Sequence, residues 1–436
     1  MKRREFIKKA GIATVGAFTV PYILPSGRLY AATGNRKVNH VVFCLFAGGI
    51  RNIESVHQGQ SNLMINTLKD VSGGFTPQAG IDKTLPGSPI GGSRLQEFGT
   101  LYKEFRFAQG PTGHFNGHVT AMTGRYNDTN LNLRANPSYP TIFEYYRKHS
   151  GTSIANATNA WWISDSLGAY PLLNYSSYPG YGAAYGANYI QSTSLITAEG
   201  YNAIGDPKSF TASNEKLAAE LKGFCDGTFG AQFNENAAGV VNSVEEKTMI
   251  NAFLDDLYQD AIASPGYNSW GFGGEMNNDL RNVYYAEEVL KKFQPELTVL
   301  NMQGVDICHS NFTSYCNNLR KADWGLAHLW DTIQSTPGLA NDTVLIAVPE
   351  HGRNLSPNTL IDAYGRAAFD HTNDNNSREI FALICGPSNV IKQDHVISSV
   401  EGESIDVVPT IANLLGFDTD IPGGLLQGNV LTGAMI

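Results

Sequence analysis

Thr343 to Asn354 reads TVLIAVPEHGRN. Five apolar residues in a row, Val344 to Val348, follow Asn341-Asp342 and precede Pro349. An unbroken apolar run of strand length between turn residues predicts a strand buried on both faces of a parallel sheet. The strand ends on Glu350-His351-Gly352. Ligands gather beyond the carboxyl ends of strands in open α/β sheets, so a carboxylate beside an imidazole there marks where chemistry would sit. Glycine behind them lets the chain turn away sharply. Taken alone, Glu-His-Gly reads better as the start of a polar loop, so the case needs partners.

Working outward, four more apolar runs read as strands: His40–Phe46, Ala160–Ser164, Glu296–Met302 and Ile380–Cys385. Helices are expected over Tyr139–Lys148, introduced by Pro140, and over Asn214–Cys225, Ser243–Ile262, Leu280–Phe293, Thr313–Gln334 and Ser404–Gly416. Leu95–Phe107 also carries apolar residues at roughly helical spacing, and Gly117–Met122 reads as the beginning of a helix. Strands alternating with helices predict one α/β domain, residues 33–436, with a mostly parallel central sheet sandwiched by helices. From Asp165 to Tyr201 the chain changes character, with Tyr170, Tyr175, Tyr178, Tyr181, Tyr185 and Tyr189 among Gly, Ser, Pro and Asn. Too little aliphatic content for a core of its own makes this an irregular Tyr/Gly-rich insertion, spanning about 165–290 in all. Its tyrosines are read first as loop packing and second as stacking surfaces for sugars.

The first 32 residues have a different plan. Lys2-Arg3-Arg4-Glu5-Phe6-Ile7 precedes a short apolar run, Ala10 to Leu24, interrupted by Gly11, Gly16 and Pro21. Paired arginines ahead of a weakly apolar stretch resemble the twin-arginine leader, with cleavage expected near Ala31-Ala32. Export in the folded state by the twin-arginine machinery to a bacterial periplasm or the exterior follows, with no stable membrane span in the mature chain. The formal net charge of -9 includes that basic leader, so a nucleic-acid-binding face is not expected. Five scattered cysteines are too few for a disulfide framework, although the spacing leaves open a bridge between Cys308 and Cys316.

His40–Phe46 runs into Ala47-Gly48-Gly49, but no Lys-Ser/Thr pair or full G-x-G-x-x-G follows, so a phosphate-cradling turn is rejected. Acids and imidazoles instead collect after strands or just before one: Asp306, His309, Glu350, His351 and His371. Mixed carboxylate and imidazole donors suit zinc, manganese or iron better than magnesium or calcium. His114 and His118, four apart, lie in a polar glycine-rich stretch after Gly110.

The order of these motifs resembles the alkaline phosphatase superfamily, with its sulfatases and phosphodiesterases, over most of the chain outside the insertion. HFNGHVTAMTGRY resembles the segment that carries the nucleophile, NDTVLIAVPEHG the strand ending in an Asp-His pair, and SIDVVPTIANLLG a packing helix of that superfamily. The resemblance implies divalent metal, zinc foremost, with manganese, iron or calcium as alternatives and one or two ions. It implies Asp306, His309 and His371 as ligands of one ion and Glu350 with His351 as a second group. Departures are plain: Ala47 falls where an aspartate is usual, Glu350 replaces aspartate, and His114 stands at the nucleophile position with Thr112 the nearest hydroxyl. The catalytic candidates are therefore His114, Thr112 and Glu350. An exported hydrolase of phosphate or sulfate esters, acting on a small-molecule or glycan ester, is the expected function. Its alternative is a catalytically degenerate member that serves as a binding or assembly protein.

Overall fold

The computed structural model describes residues 35–58, 62–69, 76–81, 83–127, 135–151, 156–164, 173–191, 240–263, 269–272, 276–372 and 374–436, together with a short antiparallel ladder of Tyr22–Ile23 on Leu29–Tyr30. The expected leader, apart from that ladder, and the helix expected over Asn214–Cys225 lie outside the described residues.

Eight strands form one sheet: β1 His40–Phe46, β2 Gly99–Arg106, β3 Ala160–Ser164, β4 Asn188–Gln191, β5 Leu297–Met302, β6 Thr343–Pro349, β7 Glu379–Cys385 and β8 His395–Glu403. Their spatial order is β8-β2-β7-β6-β1-β5-β3-β4. Every pairing is parallel except the two made by β7, which runs against β2 and β6. The helices are α1 His114–Thr123, α2 Ile142–His149, α3 Val244–Ala263, α4 Asn278–Phe293, α5 Phe312–Ser335 and α6 Val407–Leu414.

Successive strand residues face opposite sides, so a strand buried on both faces must be apolar throughout. Val42, Cys44 and Phe46 of β1 enter the core shared with α3, α4 and α5, while Val41, Phe43 and Leu45 enter the core shared with α1, α2 and α6. The expected α/β sandwich is what the chain forms. Among the described residues no helix is long and apolar enough to cross a membrane.

Two expectations are corrected and one open point is closed. Leu95–Phe107 is a 3-10 turn at Leu95–Phe98 followed by β2, because its pairing with β7 shifts register between Tyr102 and Phe105. An extra residue there breaks the two-residue alternation and mimics a helical period. The Tyr-rich segment contributes β4 to the sheet edge, and its Tyr178 and Tyr181 pack against the core beside Tyr145. Cys308 and Cys316 are free, buried thiols, not a bridge.

Asp323 on α5 is wholly buried and accepts from the Asn66 backbone at 2.9 Å, the Asn66 amide at 2.8 Å and the Thr67 backbone at 2.8 Å. It thereby ties the 62–69 loop to the helix. Burial outweighs these donors and pushes its carboxyl up to about 6.

Two outcomes follow. Phe43→Ala, at a fully buried position in the central strand, should lower unfolding free energy by about 3–5 kcal/mol in urea titrations. The native Asp323 carboxyl keeps its proton over a range where the unfolded chain, titrating near ~3.9, has lost it. Its stabilising contribution is therefore full below about pH 4 and lost as pH rises to about 6. Unfolding free energy relative to Asp323→Asn should fall by on the order of 3 kcal/mol across that window and stay level above it. A flat difference would refute the assignment.

Candidate metal centre

Parallel strands in register end at one level, and the loops that leave them meet. Phe46 of β1 pairs with Met302 of β5 and with Pro349 of β6, so Gly48-Gly49, Asp306 to His309, and Glu350-His351 emerge side by side. β2 runs in the same sense and delivers His114 to this rim at the first turn of α1. Because β7 is antiparallel, its entry end lies at the same rim, and His371 arrives there before the strand begins.

Among the described residues two groups of donor atoms result, in each of which the atoms lie within 4.8 Å of one another: His114, Asp306, His309 and His371, and His114, Glu350 and His351. His114 belongs to both. Its Nδ1 lies 2.6 Å from Glu350 Oε1 and its Nε2 lies 3.0 Å from Asp306 Oδ1. The first group is reachable from solvent, with side chains of Asp306 and His309 37% and 35% exposed. Glu350 and His351 are fully buried.

Each remaining imidazole is held through one nitrogen. His309 Nδ1 lies 2.7 Å from Asp370 Oδ1, His351 Nδ1 lies 2.8 Å from the Gly352 carbonyl oxygen, and His371 Nδ1 bonds the Thr112 carbonyl oxygen. Donation from Nδ1 places the proton there and leaves the Nε2 lone pair free, the arrangement that orients histidine ligands. His309 Nε2 faces Asp306 Oδ1 at 3.3 Å. His351 Nε2 and Glu350 Oε2 are buried without an aligned hydrogen bond, although the former lies 3.2 Å from Glu350 Oε1 and the latter 2.5 Å from His118 Nδ1. Buried polar atoms left this way cost about 1–3 kcal/mol each, which a cation would offset. The donor set therefore fits a divalent metal of the nitrogen-and-oxygen type.

The backbone is shaped to the same end. A side chain at Gly49, whose φ is +79°, would put Cβ 2.4 Å from His351 Nδ1. The double glycine thus makes room for the histidine, which explains a motif the sequence offered only as a rejected phosphate turn. Gly117 of α1 comes within 3.0 Å of Glu350 by the same measure, which lets the helix lie against the carboxylate. The helix begins at His114, three residues ahead of its expected start, so His114 and His118 share the face toward Glu350. Thr112 uses its hydroxyl to donate to the His371 carbonyl oxygen and accepts from Ser377 Oγ at 3.3 Å.

Burial works against charge on His114, but Glu350 and the bond to Asp306 prevail and push the ring up to about 10. Burial lowers His351 and, with the neighbouring rings, His371. Burial alone would raise Asp306 and Glu350; facing imidazoles instead hold both below the usual carboxylate range, with Arg353 helping at Asp306.

Two residues of the site were not singled out from the sequence. Asp370 precedes His371 and braces His309. Arg353, fully buried, bonds Asp306 Oδ1 at 3.0 Å. Its only sequence signal was its place three residues after Glu350.

No protein-family model matches this chain, and no curated protein matches it in sequence. Solved structures do. A Vibrio parahaemolyticus protein in the alkaline phosphatase superfamily is 12% identical over 97% of this chain and 79% of its own, with a TM-score of 0.39. A 2-O GAG sulfatase is 12% identical over 91% and 74%, with a TM-score of 0.47. A phosphonate monoester hydrolase from Silicibacter pomeroyi is 14% identical over 90% and 76%, with a TM-score of 0.40. Likenesses this distant assign the chain no family and its residues no role.

In the metal-free chain at about pH 7.5, His351 and His371 should be neutral with the proton on Nδ1, while His114 carries both ring protons. Long-range proton–nitrogen correlation spectra of the imidazoles read this directly. A neutral His114 at that pH would contradict the pairing.

Proposed function

We propose that this chain is an exported, metal-dependent hydrolase of phosphate or sulfate esters. The observation that carries the reading is that His114, His309 and His371 each bring a ring nitrogen within 4.8 Å of one another and of an Asp306 carboxylate oxygen, with Nδ1 of His309 and His371 held from behind. Asp306, His309, His371 and His114 Nε2 would hold the principal ion, zinc foremost, and Glu350 would orient His114 from behind. Where two ions are bound, Glu350 and His351 would hold the second, with His114 serving the first through Nε2 alone. A divalent ion supplies Lewis-acid charge to a phosphoryl or sulfuryl oxygen. The opening of α1 beside His114 adds the positive end of a helix that favours anions.

Thr112 has its hydroxyl committed to His371, and the Cys308 thiol is fully buried, so we assign the hydrolysis to water. Thr112 then serves to position His371. A polar recess of about 280 Å³ beside Thr112, lined by Thr372, Asp374, Asn375 and Arg378, offers room for the alcohol portion of the ester, a small molecule or sugar. Export rests on the paired arginines and the short apolar run of the first 32 residues.

One observation favours a second reading. His114, charged and set between Glu350 and Asp306, partly balances the carboxylates with no ion present. A scaffold that binds a partner without turnover would tolerate this arrangement. Metal analysis and a panel of nitrophenyl phosphate and sulfate esters separate the two. Zinc-loaded protein should turn over at least one ester, chelation should abolish it, and His309→Ala should lose at least ~100-fold in kcat/KM. A folded wild-type chain that binds no metal and is inert on the whole panel favours the binder.

A further inference from the structure

Arg353 is the one wholly buried guanidinium among the largest fully buried side chains of the described residues, and it lies at the junction of the site's loops. Its Nη2 bonds Asp306 Oδ1 at 3.0 Å and the Gly48 carbonyl oxygen, with longer contacts of 3.4 Å to the carbonyl oxygens of Val305 and Asp306. Its Nη1 donates to the Phe369 carbonyl oxygen at 2.9 Å and its Nε to that of Gly49 at 3.3 Å. One planar group thus joins the loop after β1, the loop after β5 and the segment that leads into His371.

A buried ion pair is a weak source of stability, because taking a guanidinium out of water offsets most of the attraction. Neutral donors would serve the carbonyl oxygens alone. What demands a permanent charge here is Asp306, whose side chain is more than a third exposed and could otherwise swing toward water. We propose that Arg353 is a positioning residue whose guanidinium fixes the Asp306 carboxylate in its ligating orientation while locking the three ligand-bearing segments together. Lysine cannot replace it, because a point charge on a flexible stem lacks the rigid fork that meets carboxylate and carbonyl oxygens at once.

The inference rests on the reading of Asp306 as a metal ligand. The test uses the full chain stripped of metal and titrated with Zn(II) and Co(II), comparing wild type, Arg353→Lys, Asp306→Asn and the double variant. Zinc affinity should fall about 10–100-fold in Arg353→Lys, the loss typical of removing a group that orients a ligand. The Co(II) visible spectrum of Arg353→Lys should shift toward that of Asp306→Asn, and the double variant should bind no worse than Asp306→Asn alone. A purely structural arginine would lower the melting temperature, leave the Co(II) spectrum unchanged and add its effect to that of Asp306→Asn; that result overturns the proposal. Should Arg353→Lys not fold, Arg353→Gln takes its place, and failure of both to fold assigns the residue to the fold alone and overturns the proposal equally. A wild type that binds neither metal overturns the metal reading and this inference with it. Wild-type binding matched by Arg353→Lys overturns the inference only.

Discussion

The site depends on hydrogen-bond register. β1 pairs in step with β5 on one side and β6 on the other, and the Ala47 and Glu350 backbone amides continue the two ladders by donating to Met302 and Phe46. A slip of one residue in a parallel pair would turn every side chain to the other face and displace Glu350 or Asp306 from the rim. Both faces of these strands are fully buried, so any such slip would also expose or clash the two cores. Hydrophobic burial thus fixes the register, and the register fixes where six ligand candidates from four separate stretches of the chain meet.

Charge in the site is balanced in layers. Deepest is Glu350, taking the Gly48 amide and His114 on one oxygen, with His118 close to the other. Nearer to solvent is Asp306, facing His114, His309 and Arg353. His114 spans the layers, which is why an imidazole at the start of α1 couples the buried carboxylate to the accessible one. A hydroxyl at that position would be too short to span both.

Much of this was legible in the chain. β1, β3, β5, β6 and β7 announce themselves because burial on both faces demands unbroken apolar runs, and the donors Asp306, His309, Glu350, His351 and His371 could be read as neighbours of strand ends. β2 was hidden by its shifted register, and β8 by being a largely exposed edge strand with little apolar signal. β4 is four residues long inside a Tyr- and Gly-rich segment, too short for periodicity to speak. Arg353 could not be found in advance, since its meaning lies in which carbonyl oxygens surround it, and those come from segments far away in sequence. Thr112 was noticed for its hydroxyl, but only the fold reveals that the hydroxyl is turned to a backbone oxygen.

The reversed direction of β7 has a consequence for biogenesis. His371 reaches the cluster from the strand's beginning and is clasped by Thr112, 259 positions earlier in the chain. A growing polypeptide cannot close this ring of donors until it has been made through His371. Contacts of such long sequence separation form slowly, because chain closure must be completed before they reward it. Cation capture by all four members of the outer cluster would thus report that the stretch from His114 to His371 has folded together.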